Sequence, residues 1–217
     1  GRSLAFSSAL GQGGFMTRAE VRIEVATAGD VEAVGTILAH AFPDKFERIL
    51  GEDGAQVLTE VFRRSPGSLQ GTLLARVNGD TAGMIQLGAE THFLGSARAF
   101  LAAAHPRYGW LGAGKRLMQV GVLEVPEGIH RRELYIRAIG VRPGFQGLGI
   151  GTRLLGEAAV EARARRKTAL SLLVLAHNEG AIRLYERFGF ALGCRRSSRA
   201  LQWAVGRGGY HKMVKPL

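Results

Sequence analysis

The chain has 217 residues, 46% of them hydrophobic and 22% charged, and a net charge of +11. This balance belongs to ordinary folded proteins and excludes a disordered chain, while apolar runs such as ALSLLVLA fall far short of the roughly 20 residues a membrane-spanning helix needs. A single cysteine, Cys194, excludes an internal disulfide and fits a reducing, cytoplasmic setting.

Residues 1–15 read as a flexible leader before Met16, and 16–217 as one domain. VRIEV (Val21 to Val25) alternates like a strand. A helix follows, with Asp30 as N-cap and Val31, Val34, Ile37 and Leu38 on one face. A second helical pattern covers Ala55 to Arg64 and stops at Pro66. GTLLARVNGDTAGMIQLGA reads as a hairpin turning at Asn78-Gly79. Residues 90–132 read as a helical insertion broken in two near Pro106. ELYIRAIGV is the next strand, GIGTRLLGEAAVEARARR a helix, ALSLLVLA a buried strand and EGAIRLYERF a helix. RALQWAV and YHKMVKP are candidates for closing strands. The order predicts one mixed α/β (α+β) domain.

Charge is uneven. Residues 1–130 hold 12 Lys or Arg against 13 Asp or Glu, and residues 131–217 hold 17 against 5. Such a field attracts nucleic acid, acidic lipid or a polyphosphate, or is simply a solvated arginine-rich surface.

The basic half contains GVRPGFQGLGIGTRLL, a glycine-rich turn leading directly into an amphipathic helix. Backbone N–H groups converging ahead of a helix N-terminus form an anion site. Gly144 and Gly149 have the spacing of a Walker loop, but Ile150 stands where its lysine belongs, which argues against an ATPase. Gly147, Gly149 and Gly151 lack both the dinucleotide spacing and a following acidic residue, which argues against a nicotinamide site. The six histidines show no ligand spacing, so no metal site is expected. Cys194 has no recognisable histidine partner and reads as a packing residue.

Gln146, Gly149 and Gly151 resemble the acetyl-coenzyme A signature of the GNAT superfamily of N-acetyltransferases. NEGAIRLYERFGF, Asn178 to Phe190, is similar to the family's later motif of Asn, a helix with Tyr, and Gly-Phe. The resemblance covers about Glu133 to Phe190. It implies a single GNAT-type domain: a mixed central sheet splayed in the middle, flanked by helices, with acetyl-CoA in the gap. Pyrophosphate is then expected on the N–H groups of Gln146, Gly147, Leu148, Gly149, Ile150 and Gly151. Pantetheine is expected along Ile139, Gly140 and Val141.

The implied reaction is direct acetyl transfer to a primary amine in a ternary complex. Glu133 is the implied base, or else a strand-end carboxylate paired with Arg131 or Arg132. It shares strand parity with Arg137 provided no bulge intervenes. Tyr185 is the implied donor to the coenzyme sulfur, or else a buried aromatic of an amphipathic helix. Asn178 contacts pantetheine, caps its helix, or both. Arg137 lines the acceptor pocket or forms a structural ion pair. The acceptor is a small molecule or a protein amine, chosen by the N-terminal helices and the 90–132 segment, which is also a candidate homodimer contact. Two other readings are a non-catalytic CoA-binding regulatory module and a basic nucleic-acid binder. The latter lacks a helix-turn-helix, zinc or aromatic RNA-binding motif.

Overall fold

Among the described residues, seven strands form one sheet in the order β1-β2-β3-β4-β5-β7-β6. The computed structural model describes residues 20–88, 97–124, 129–196 and 209–217. The strands are β1 (Val21–Val25), β2 (Thr72–Val77), β3 (Asp80–Leu87), β4 (Glu133–Val141), β5 (Ala169–Leu175), β6 (Ala191–Arg196) and β7 (Tyr210–Pro216). The helices are α1 (Val31–Ala41), α2 (Pro43–Leu50), α3 (Gly54–Arg64), α4 (Ala97–Glu124), α5 (Ile150–Ala164) and α6 (Glu179–Arg187). Among the described residues, only the β4–β5 pair is parallel.

Helices α1 to α4 pack on one face around Ile37, Phe46, Leu58, Phe62, Leu74, Met84 and Phe100. Helices α5 and α6 cover the other face around Ile85, Leu134, Ile136, Leu154, Leu155, Leu170 and Tyr185. The buried stripe of α5, Ile150, Leu154, Leu155, Ala158, Ala159 and Ala162, repeats at three- and four-residue intervals, as a helix lying on a sheet requires. The β2–β3 hairpin turns at Asn78 and Gly79, both with positive φ (52° and 91°), the twist that a two-residue connection demands.

Several elements differ from their sequence reading. Asp30 holds the N-cap position, but its carboxylate accepts from the Thr27 N–H and hydroxyl, each at 2.8 Å, and pairs with Arg76. Pro43–Leu50 forms a separate helix, started by proline at its first position, where it lacks no needed donor. The helical segment does break in two as its sequence suggests, the kink falling at Gly109 (φ 65°, ψ 174°), three residues after Pro106. A closing strand forms at Ala191–Arg196, whereas RALQWAV lies outside the described residues.

Two local features matter later. An ideal Cβ on Gly140 would lie 2.6 Å from Ala41 Cβ and 3.1 Å from Ile37, so only glycine lets α1 seat on the second half of β4. The C-terminus of α5 closes by Arg166 N–H to Arg163 O (2.9 Å) and Lys167 N–H to Ala162 O (2.8 Å), the Schellman pattern. Its left-handed position usually takes glycine, but Arg166 occupies it at φ 54°, a substitution costing about 1 kcal/mol.

Gly140→Ala should lower stability by roughly 1–3 kcal/mol through overpacking against α1. Thermal unfolding checks this: the melting temperature should fall by several degrees, and an unchanged value would show that α1 can retreat freely.

Candidate functional site: an open wedge between two parallel strands

Strand β4 pairs with β3 over its second half, from Ile136 to Val141, and with β5 only over its first. Its β5 register runs from Glu133↔Ala169 to Ile136↔Leu172 and stops. Residues 138–141 keep their β3 partners, and the β5 register does not extend to them. The two strands diverge from that point, leaving one edge of β4 open.

Arg137 sits at the apex of this wedge. On the β3 side Ile136 opposes Leu87 and Ala138 opposes Gln86, so Arg137 is an extra residue, a β-bulge. The bulge resets the side-chain alternation. Leu134 and Ile136 join the α5 side of the core before it, whereas Ala138 and Gly140 meet the α1 side after it. The shared parity of Glu133 and Arg137, conditional on an unbulged strand, therefore no longer follows from spacing.

The glycine turn lies at the open end of the wedge. After β4 the chain forms a 3-10 turn at Pro143–Phe145, then reaches α5 through Gly147 (φ 80°) and Gly149 (φ 73°). Gln146, Gly147, Leu148 and Gly149 are all exposed. Arg153 donates the first helical bond, to Gly149 O at 3.1 Å, so the N–H groups of Ile150, Gly151 and Thr152 precede the ladder. Those donors stand at the positive end of the helix dipole, directly after the exposed turn, which suits an anion. Ile139, Gly140 and Val141 supply the open strand edge beside them.

Helix α6 borders the same opening. Leu184 reaches to 3.4 Å from where a Cβ on Gly151 would stand, so α6 lies against the start of α5. Asn178 caps α6, its Oδ1 accepting from Ala181 N–H at 3.1 Å. Tyr185 is buried, with its ring edge-on to Phe190 at 5.8 Å. Burial pushes its phenol up to about 12, so the hydroxyl keeps its proton at neutral pH.

Glu133 is placed differently from a strand-end carboxylate. It is buried, and Lys212 of β7 holds it, with Nζ 3.0 Å from Oε1 and 2.9 Å from Oε2. The pair crosses β5, bolting β4 to β7 at the closed end of the wedge. Burial alone would raise the Glu133 pKa. The Lys212 hydrogen bond and charge, with a smaller contribution from Ser171, outweigh it and hold the carboxyl below its usual 4.5. Neither Lys212 nor Ser171 stood out in the sequence, because each is simply a polar residue in a strand and only the register brings them to Glu133.

Among the described residues no group of three His, Cys, Asp or Glu could hold a metal, and no helix is long and apolar enough to cross a membrane. A cavity of about 310 Å³ between α3 and α4 is remote from the wedge, and its Arg63, Arg64 and Arg107 are engaged by Glu60 and Asp53.

Comparison with known proteins agrees with this geometry. Residues 119–190 match the Acetyltransferase (GNAT) family. An uncharacterised N-acetyltransferase of Methanocaldococcus jannaschii is 43% identical over 63 residues, 29% of this chain and 28% of that relative. The chain thus matches under a third of that relative's length. The fold is shared with an N-acetyltransferase from Staphylococcus aureus Mu50 (TM-score 0.64, 19% identity, 89% of this chain and 99% of that one). It is shared also with the PaiA N-acetyltransferase from Thermoplasma acidophilum in complex with coenzyme A (TM-score 0.56, 13% identity, 91% and 99%).

Lys212→Met should cost about 3 kcal/mol at pH 7 by stranding a buried carboxylate. In the native protein the lowered Glu133 pKa gives stability that is present above about pH 4.5 and lost as pH falls through the folded value. In the variant, desolvation raises that pKa, so the penalty is relieved on acidification. Denaturant unfolding at pH 7 and pH 4 should show the gap between the two proteins narrowing; a constant gap would mean that the charge pair contributes nothing.

Proposed function

We propose that this chain, whose residues 119–190 match the Acetyltransferase (GNAT) family, moves an acetyl group from acetyl-CoA to a primary amine by direct transfer in a ternary complex. One observation carries this reading: the edge of β4 at residues 138–141, beyond the β5 register, opens beside a helix N-terminus whose first N–H groups precede the helical ladder. An extended chain ending in phosphates fits that pair of features, the amide-bearing arm continuing the sheet and the anion meeting the helix.

On this reading Gln146, Gly147, Leu148, Gly149, Ile150 and Gly151 hold the pyrophosphate through backbone N–H groups. Ile139, Gly140 and Val141 offer N–H and C=O groups to the pantetheine arm. Asn178, whose carbonyl oxygen is spent on the cap, has its amide nitrogen left for the same arm. Acetyl-CoA supplies an acetyl group activated as a thioester. No metal is required of the chain's own residues.

Tyr185 serves as a hydrogen-bond donor to the departing sulfur. A phenol at about 12 lies roughly 3.5 units above an ordinary thiol near 8.5, so complete transfer is uphill by about 5 kcal/mol. Donating without releasing the proton is the role that this phenol fits. Glu133 stays charged through the neutral range but is a weak base beside an amine of pKa near 10. We therefore assign it the orienting of the water through which the acceptor's proton passes to solvent, with Lys212 fixing its position. Helices α1 to α3 and the 90–132 segment shape the acceptor side, for a small-molecule or protein amine.

Calorimetric titration with acetyl-CoA should give saturable one-site binding. Absence of binding by folded protein would remove the reading. Tyr185→Phe should lower kcat by at least about tenfold with cofactor affinity within twofold. Loss of affinity instead would assign Tyr185 to packing. Glu133→Gln should depress turnover most at low pH, where the free amine is scarcest; an unchanged profile would take Glu133 out of the proton path.

A further inference from the structure

The end of the sheet opposite the glycine turn collects six cations from two segments. Arg131 and Arg132 lead into β4; Arg163, Arg165, Arg166 and Lys167 end α5 and lead into β5. Backbone bonds lock the segments together. Lys167 Nζ donates to Arg131 O at 2.7 Å, and Thr168 N–H donates to Arg132 O at 2.8 Å. All five arginines are exposed.

Most of this charge is uncompensated. Glu161 is engaged by Arg165 at 2.6 Å. Among the described residues, Arg131, Arg132, Arg163 and Arg166 meet no carboxylate. Elsewhere Arg63, Arg64, Arg76, Arg107 and Arg183 have acidic partners, and arginines that meet no carboxylate among the described residues, such as Arg142, Arg153 and Arg187, stand singly along the sequence. The dipole of α5 favours cations in its last turn, which accounts for Arg163 and Arg165 but not for Arg131 and Arg132 on another segment. Nor does it account for Arg166, a side chain retained at φ 54° where glycine is unstrained.

Nor does the cluster serve the glycine turn. Helix α5 has 15 residues, so its two ends lie about 20 Å apart at 1.5 Å per residue. That is beyond the screening length of about 8 Å at physiological salt.

We propose that this cluster is a docking surface for the phosphodiester backbone of a nucleic-acid duplex. Five guanidiniums against one ammonium favour the forked pairing that arginine makes with phosphate oxygens. No aromatic side chain belongs to the cluster, so neither base stacking nor anchoring in a lipid interface is provided for. The contact reads charge spacing and not sequence, and it leaves the wedge free to work while the duplex is bound.

Fluorescence anisotropy with labelled 24-base-pair RNA and DNA duplexes, and co-sedimentation with phosphatidylserine vesicles, test the proposal on the whole protein. Duplex binding in the micromolar range at 50 mM salt is expected, with a log–log salt slope of about −4, the value for four or five phosphate contacts. Both duplexes binding, or one of them, supports the surface. The double substitution Arg131→Glu, Arg132→Glu should weaken binding at least tenfold, and saturating acetyl-CoA should not compete. Arg166→Gly should weaken binding about threefold while raising the melting temperature by about 2–4 °C, since glycine relieves the left-handed strain. No duplex binding, competition by acetyl-CoA, indifference to the charge reversals, or equal affinity for the vesicles would each overturn the proposal.

Discussion

Everything at the wedge depends on one pairing that stops early. Strands β4 and β5 share four residue pairs and then part at Ile136 and Leu172. A strand edge left without a partner is costly unless water or a ligand satisfies it. The protein keeps that edge open with supports on both faces. Gly140 lets α1 lie directly on the diverging half of β4, while α5 seats Ile150 and Leu154 against its other face. The bulge at Arg137 marks where the strand stops serving β5, and added local twist at such a site turns the strand away.

The closed end is fixed by a different force. Lys212 reaches across β5 to Glu133, so a charge pair links β4 to β7 where the strands still run together. Its partners are nearly out of water, and removing either one strands the other. Hydrogen bonding thus governs the first four residues of β4, and electrostatics ties that stretch to the far strand. The second half is free to belong to the site.

Features written in contiguous residues were legible in the sequence. The Asn78-Gly79 hairpin, the buried stripe of α5, the glycine turn and the Asn178 cap each depend on neighbours a few positions away. Features that depend on pairing between distant segments were not. The bulge at Arg137 exists only in the register against Gln86 and Leu87, and it undoes a parity argument that is sound for a regular strand. Lys212 lies 79 positions from Glu133, and nothing near it signals a partner. Strand β6 was missed for a related reason: Ala191–Arg196 is rich in arginine, and it becomes a strand by adding to the edge of β7. The left-handed Arg166 was illegible because the residue that usually announces such a position is glycine.

The uneven charge of the chain also takes a different meaning once folded. A surplus of 17 basic over 5 acidic residues beyond position 130 invites the inference that it serves the glycine turn in the same half. Folding divides it. Lys212 is committed to Glu133, Arg183 to Glu179, and Arg165 to Glu161. The densest unpaired group stands at the opposite end of α5 from the turn. Over about 20 Å of salt solution its direct field on a ligand at the turn is small. An anion at the turn therefore relies on backbone N–H groups and the helix dipole, which act at contact range. Long-range attraction is left to the arginine cluster, where exposed cations from two segments sum toward one face.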